Sequence, residues 1–188
     1  MPRITPTALP DVLLIEPDVH RDARGFFLET YHAQKYAAAG IARAFVQDNH
    51  SRSAPGTLRG IHLQTNPAQA KLVRVIRGAV LDVAVDLRLD SPTFGRWVQL
   101  ELSEQNFRQL YVPPGFGHAF YVTEGPAEVE YKTTALYHPA GELGVLWNDP
   151  DLAISWPAGD PILSERDRAL PPLSAVRERL LTVSQAAG

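Results

Sequence analysis

The nineteen residues KLVRVIRGAVLDVAVDLRL (71–89) constrain this chain more than any other stretch. Apolar residues dominate, β-branched valines recur, and Gly78 divides the stretch into two runs. After Gly78, Leu81, Val83, Val85 and Leu87 fall on one side of an extended strand, and Val80, Asp82, Ala84 and Asp86 on the other. A helical period of 3.6 would scatter these residues, whereas a period of two sorts them cleanly. The stretch is therefore read as two strands around Gly78, both substantially buried.

The same reading extends along the chain. DVLLIEP, FFLETY, RWVQLELS and AEVEYKTTALYH are short extended runs, and QLYVPPGFGHAFYV sets a Pro-Pro-Gly turn between two more. HAQKYAAAG is the one early helix candidate, ended by Gly40. LSERDRALPP reads as a loop with a proline break, followed by a short amphipathic helix from about Ser174. Many short strands, turns rich in Gly and Pro, and little helix predict an all-β sandwich or barrel. The 188 residues fit a single domain, with a core over about 10–170 and a tail over about 171–188.

Composition narrows the chemistry. The chain has no cysteine, which excludes disulfides, zinc thiolates and cysteine nucleophiles. Its formal net charge of −3 gives no basic footprint for nucleic acid. No run approaches the roughly 20 apolar residues of a membrane span, and the first residues lack a signal-peptide core. The expectation is a cytoplasmic protein that binds neither nucleic acid nor membrane.

Two histidines stand out. In LRGIHLQ, His62 and Gln64 share one strand face, while Ile61 and Leu63 share the other. In PPGFGHAF, His118 follows a tight turn. A Gly-x-His followed later by Pro-x-Gly-x-x-His resembles the paired motifs of cupins, which are jelly-roll barrels. A metal-binding cupin wants a second histidine and then a glutamate. Here Gln64 holds the second position, and the downstream AQAKLV offers Gln69 and Lys71. A lysine ammonium repels a divalent cation and has no lone pair to give. The expectation is a site without metal or cofactor.

A histidine and a lysine in a metal-free pocket suit proton abstraction beside a carbonyl. Histidine is a base whose pKa lies near neutrality. Lys71 can stabilise a developing enolate oxygen. Reprotonation from the other face needs an acid, and EVEYKTTALY supplies Tyr131, with Tyr137 beyond it. A carboxylate would fix the tautomer of the base. Asp82, Asp86 and Asp167 are all candidates for that place, and spacing does not choose among them.

In order along the chain, DARGFFLETY, FVQDNHSRS, LRGIHLQ, QAKLVRVIRGAVLDVAVDLR, YVPPGFGHAF, EYKTTALY, WNDPDLAISWP and LSERD together resemble the dTDP-4-dehydrorhamnose 3,5-epimerase family. The resemblance covers about residues 10–170. It implies a cupin-type jelly roll with a few short helices at the N-terminal side and C-terminus. It implies His62 as proton acceptor, Asp167 as its partner, Tyr131 as proton donor and Lys71 as enolate stabiliser. Arg59 and His118 would line the sugar-diphosphate pocket. Arg24, Phe27, Glu29, Gln47 and Asn49 would contact the nucleotide sugar, as would Tyr137, Glu142 and Arg166. The substrate would be a dTDP-4-keto-6-deoxyhexose, and the N-terminal strand would pair with a second subunit, making a homodimer in which Arg24 reaches the neighbouring site.

Three features qualify the resemblance. At least one of Phe26 and Phe27 is expected to fill the core. Ala119 stands where the family usually has glycine, and its methyl is expected to tighten the pocket beside His118. Relatives that invert only C3 or only C5 share these motifs, so a mono-epimerase is the nearest alternative. A metal-dependent cupin oxygenase and a non-catalytic sugar-binding cupin are the alternatives from other classes.

Overall fold

The computed structural model describes residues 2–187. Eleven strands carry the fold: β1 (Arg3–Pro6), β2 (Leu13–Glu16), β3 (Val19–Asp22), β4 (Gly25–Leu28), β5 (Gln47–Ser53), β6 (Leu58–Gln64), β7 (Lys71–Asp86), β8 (Trp97–Ser103), β9 (Gln109–Val112), β10 (Phe116–Thr133) and β11 (Glu142–Gly144). The helices are short: α1 (Ala33–Ala38), α2 (Glu165–Arg168), α3 (Leu173–Val176) and α4 (Val183–Ala187). No helix among the described residues is long and apolar enough to cross a membrane.

Two long strands organise the barrel. β7 and β10 pair antiparallel along nearly their whole lengths, from Phe116 opposite Asp86 to Thr133 opposite Lys71. The first half of β7 pairs on its other side with β9, and the second half with β8. In the same way β10 pairs first with β6 and then with β5. β1, β2 and β11 extend this nine-stranded antiparallel arrangement, the closed jelly roll of the cupin type, and β3–β4 form a separate hairpin.

The expected break at Gly78 is instead a bend within one continuous strand. Gly78 takes φ +74, and a Cβ there would collide with the Glu124 carbonyl. The register of β10 slips between Val122 and Glu124 and again before Glu128, so both strands turn together. A bulge opposite a glycine lets a ribbon curl without breaking its ladder. The run expected to end at Val122 and the run expected to begin at Ala127 merge into β10 for the same reason.

Alternation then sorts the side chains into layers. Inside the barrel, Val73, Val75, Val80, Ala84, Phe116, Phe120, Val122 and Val129 form one buried cluster. The opposite face, with Ile61, Leu63, Val83, Val85, Leu87 and Ala119, packs under Leu173, Val176 and Leu180 of the tail. A third cluster seats Tyr36 of α1 on Ile15, Leu72 and Tyr111. The tail is three short pieces rather than one helix from Ser174: α3, a 3-10 turn at Arg177–Arg179, and α4. Their task is to cover the outer apolar face, which single turns with well-placed leucines can do.

Three expectations are corrected by this layering. Phe26 and Phe27 do not fill the core; they are 56% and 71% exposed on the β3–β4 hairpin, where Phe26 rests on Phe107 with ring centroids 4.8 Å apart. FFLETY is extended only as far as Leu28, in β4, which pairs with β3 of the same chain. Ala119 points into the outer cluster, one residue out of phase with His118, so its methyl packs against the core and leaves the pocket untouched.

Candidate active site

The inner face of the barrel is apolar at one end and polar at the other. The polar end holds two adjoining cavities of about 590 and 210 Å³ that share His62, Lys71, Tyr131, Tyr137 and Glu142. Each side chain is delivered by strand register. His62 on β6 pairs directly with His118 on β10, and β11 flanks β6 on its other edge with Gly144 opposite His62 and Glu142 opposite Gln64. Tyr131 lies opposite Asn49 of β5 and Val73 of β7, so Tyr131, Asn49, Gln47 and Lys71 project to the same side.

β6 can approach β10 this closely because residue 60 has no side chain. Gly60 takes φ +120, and a Cβ there would lie 2.6 Å from both the Ala119 Cβ and the His118 carbonyl oxygen. The glycine of LRGIHLQ is thus part of what sets His62 against His118.

The open question of which carboxylate meets His62 has a geometric answer. His62 Nε2 lies 2.6 Å from Asp167 Oδ1. Asp82 instead meets His118, its two carboxylate oxygens 3.0 and 2.9 Å from Nε2. Asp86 is committed to Arg88, Ser91 and Thr93. Asp167 comes from SERDR, which forms the helical turn α2 and not a loop. Ser164 caps it by accepting a hydrogen bond from the Asp167 amide at 3.0 Å. Ser-x-x-Asp is a recognisable N-terminal capping signature, so this turn was readable from the sequence. Burial would raise the Asp167 carboxyl, but hydrogen bonds from His62, Ser164 and the Gly60 amide outweigh it and hold it below its usual range. The carboxylate is therefore charged, and Nε2–H of His62 points at it. That leaves Nδ1 with the lone pair.

Lys71 is half-buried, its Nζ 3.3 Å from the His62 carbonyl oxygen and 5.9 Å from the centre of the Tyr131 ring. Desolvation brings its pKa down from 10.5 to about 8, against upward pulls from Glu142 and Asp82. The Tyr131 hydroxyl moves the other way: burial raises it, Glu142 adds to the rise, and Arg59 opposes it. At neutral pH the pocket thus presents a cation, a protonated phenol and an imidazole anchored to a carboxylate.

The remaining candidates divide. Arg59 lines the larger cavity and donates from Nε to Ser53 Oγ at 3.0 Å. Gln47, Asn49 and Tyr137 line the smaller one, with Gln47 Nε2 donating to Asn49 Oδ1 at 2.9 Å and Gln47 Oε1 accepting from the Tyr137 amide at 2.9 Å. At the mouth, Glu142 accepts from the Tyr137 hydroxyl at 2.8 Å and from Arg166 at 2.6 Å. The adjacent residues Arg166 and Asp167 of α2 therefore tie β11 and β6 together. Arg24, Phe27 and Glu29 do not reach these cavities within one chain. Arg24 is ion-paired with Asp22 at 2.6 Å, Glu29 with Lys35 at 2.7 Å, and Phe27 is exposed. Sequence reasoning missed Ser51, Leu163 and Ser164, which also line the larger cavity.

The donor set does not suit a metal. Gln64 spends its amide on the loop, donating to the Pro67 and Leu136 carbonyls at 2.9 and 3.1 Å and accepting from the His138 amide at 2.8 Å. No group of three or more His, Asp or Glu side chains among the described residues is arranged to hold an ion. The arrangement instead offers a base, a cation and an acid around one space, the requirements for moving a proton on a carbon beside a carbonyl.

Comparison with known proteins points the same way. Residues 6–175 match the family model described as dTDP-4-dehydrorhamnose 3,5-epimerase. The chain is 54% identical over 168 residues to the dTDP-4-dehydrorhamnose 3,5-epimerase of Pseudomonas aeruginosa, covering 88% of this chain and 93% of that one. It is 43% identical to a dTDP-4-dehydrorhamnose 3-epimerase of Streptomyces niveus, over 88% of this chain and 81% of that one. Its fold matches the crystal structure of a dTDP-6-deoxy-D-glucose-3,5-epimerase from Legionella pneumophila in complex with dTDP-4-keto-L-rhamnose. There the TM-score is 0.94 and the identity 46%, with 97% of this chain and 98% of that chain covered.

Proposed function

Because this chain belongs to the dTDP-4-dehydrorhamnose 3,5-epimerase family, we propose that it inverts C3 and C5 of dTDP-4-dehydro-6-deoxyglucose to give dTDP-4-dehydrorhamnose. It is an isomerase, and the observation that carries its mechanism is the 2.6 Å His62–Asp167 contact facing Lys71 and Tyr131 across one cavity.

The C4 ketone acidifies the hydrogens on both of its neighbours. His62 Nδ1 takes the C5 hydrogen as a proton, and the electron pair of that bond moves into an enolate whose charge rests on O4. Lys71 stabilises that oxygen, and Asp167 stabilises the imidazolium. Tyr131 then returns a proton to C5 from the opposite face; exchange with solvent takes the proton off His62 and restores the Tyr131 hydroxyl, and repetition at C3 completes the double inversion. The carbonyl π electrons shift to O4 and return as each proton leaves and comes back, with no net change of oxidation state, so no redox partner is required. Arg59 and His118 face the diphosphate and sugar; a guanidinium fork matches phosphate oxygens well. Gln47, Asn49, Tyr137, Glu142 and Arg166 line the mouth against the remainder of the nucleotide sugar.

The enzyme works in the cytoplasm as a homodimer. Its β3–β4 hairpin, with Phe26 and Phe27 exposed and the Arg24 side chain 91% exposed, supports this reading. Such a ribbon is costly in water, and a second copy across a two-fold axis would cover it and bring Arg24, Phe27 and Glu29 to the neighbouring cavity. Sedimentation at micromolar concentration should give the dimer, and a monomer there would refute it.

The similarity to a 3-epimerase makes inversion at C3 alone the second reading. Incubation with dTDP-4-keto-6-deoxyglucose in heavy water separates the two. Deuterium at both C3 and C5 of the product supports double inversion, deuterium at C3 only supports the second reading, and none at either carbon overturns both.

A further inference from the structure

The site contains a second histidine–carboxylate pair that the proton transfers above do not use. His118 is 6% exposed and Asp82 is fully buried, so Asp82 cannot touch a substrate. Both carboxylate oxygens lie within hydrogen-bond distance of His118 Nε2, at 3.0 and 2.9 Å. Cross-strand, Asp82 sits opposite Phe120 on β10 and Leu100 on β8, both apolar. A carboxylate in such a place is expensive and persists only when its charge is answered. His118 answers it directly, and Lys71 answers it at longer range.

We propose that Asp82 is a positioning residue for the epimerisation, which fixes the proton of His118 on Nε2 and helps keep the neighbouring Lys71 charged. The proposal rests on the reaction read above and deepens it. With Nε2–H tied to Asp82, the ring cannot rotate, and its Nδ1 edge is held toward the cavity that His118 lines. Lys71 faces Glu142 from β11, Asp82 from its own bent strand, the His62 carbonyl from β6 and the Tyr131 ring from β10. Among these, Asp82 and Glu142 are the carboxylates that favour its charged form, and burial works against them. The two His–Asp pairs thus divide the labour: Asp167 orients the base, and Asp82 orients the ring opposite and supports the cation.

Asp82→Asn keeps the shape and removes the charge. In the folded variant, checked by circular dichroism and melting, kcat should fall roughly 10–100-fold, by analogy with loss of the carboxylate behind a metal-binding histidine. KM should change less than threefold, and the alkaline limb of kcat should move to lower pH because Lys71 loses a charged supporter. An unchanged kcat and an unmoved limb in a folded variant would overturn the proposal. A loss confined to KM would overturn it as well. The ring of His118 in the unmodified protein provides a measurement that needs no variant. Nitrogen-15 NMR of the histidine ring should show a proton on Nε2, and a neutral ring protonated on Nδ1 alone would refute the assignment. Failure of the reaction itself is distinguishable, since it would appear as no deuterium uptake by the unmodified enzyme while the ring measurement still stands.

Discussion

Replacing Lys71 by methionine should make the protein more stable and inactive at the same time. The lysine keeps a charge inside the barrel that would be better solvated in water. Its pKa falls from 10.5 to about 8, chiefly through desolvation. At about 1.4 kcal/mol per pH unit, the charged form costs the fold about 3 kcal/mol at neutral pH. Methionine has a similar shape without the charge. It forfeits the 3.3 Å bond to the His62 carbonyl, a loss of about 1 kcal/mol. The net expected gain at pH 7 is therefore about 1–2 kcal/mol. Because the folded-state pKa lies below the unfolded one, the folded protein binds fewer protons between about pH 8 and 10.5, and the stability of the unmodified protein rises with pH across that window. The advantage of Lys71→Met should accordingly shrink over the same interval and vanish above it. Urea denaturation of both proteins at pH 7, 9 and 10.5 measures this directly. A methionine variant that is less stable at pH 7, or whose advantage is independent of pH, would refute the reasoning. The kinetic counterpart is an alkaline fall in kcat near pH 8 in the unmodified enzyme, displaced upward in Lys71→Arg if that variant turns over, because a guanidinium stays charged.

Other expectations follow from the same geometry. His62→Ala should reduce deuterium uptake at C3 and C5 by about 10²–10⁴-fold, and Tyr131→Phe should cut product formation more than exchange into unepimerised substrate; equal losses in Tyr131→Phe would make the tyrosine a positioning residue. Ser164→Ala removes the cap of the turn that carries Asp167, which should cost about 1 kcal/mol in denaturant unfolding and lower kcat more than it changes KM. Gly60→Ala should lower the yield of folded protein or its melting temperature sharply, since its methyl meets Ala119 and the His118 carbonyl at 2.6 Å with φ at +120; an unaltered melting temperature would show that β6 can shift freely. Chelation should leave activity intact, because Gln64 is bound to backbone and Lys71 stands where a ligand would be needed.

The parts of this protein that were legible in its sequence are those set by period and punctuation. Val83 and Val85 pack on the outer cluster and Val80 and Ala84 on the inner one, as two-residue alternation requires. Gly40 follows α1 at φ +95, as a helix-ending glycine does. Pairings across long sequence distances were not legible in the same way. Nothing local in LDVAVD says that Asp82 meets a histidine 36 residues away while Asp86 ties down Arg88. The continuity of β7 and β10 was hidden for a related reason. A glycine within an apolar run reads as a break, and only a bulge on the opposite strand turns it into a bend.

Those distant pairings matter most for the chemistry. A proton-transfer site needs groups of opposite preference close together: a base that must stay neutral, a cation that must stay charged and a phenol that must stay protonated. In water each would settle independently. Inside the barrel, burial lowers the pKa of Lys71 toward the working range and raises that of Tyr131, so the phenol holds its proton more firmly than it would in water. Asp82 and Glu142 oppose the effect of burial on Lys71 and Asp167 anchors His62, each reaching the site from a different element: the bent strand β7, the short edge strand β11 and the capped turn α2. A jelly roll suits this task because alternate residues of several strands converge on one interior, while the residues between them are free to hold the barrel together from outside. His62 and His118 face each other across β6 and β10 because Ile61 and Ala119 pack on the other side. The core that stabilises the fold and the pocket that moves protons are thus two faces of the same strands.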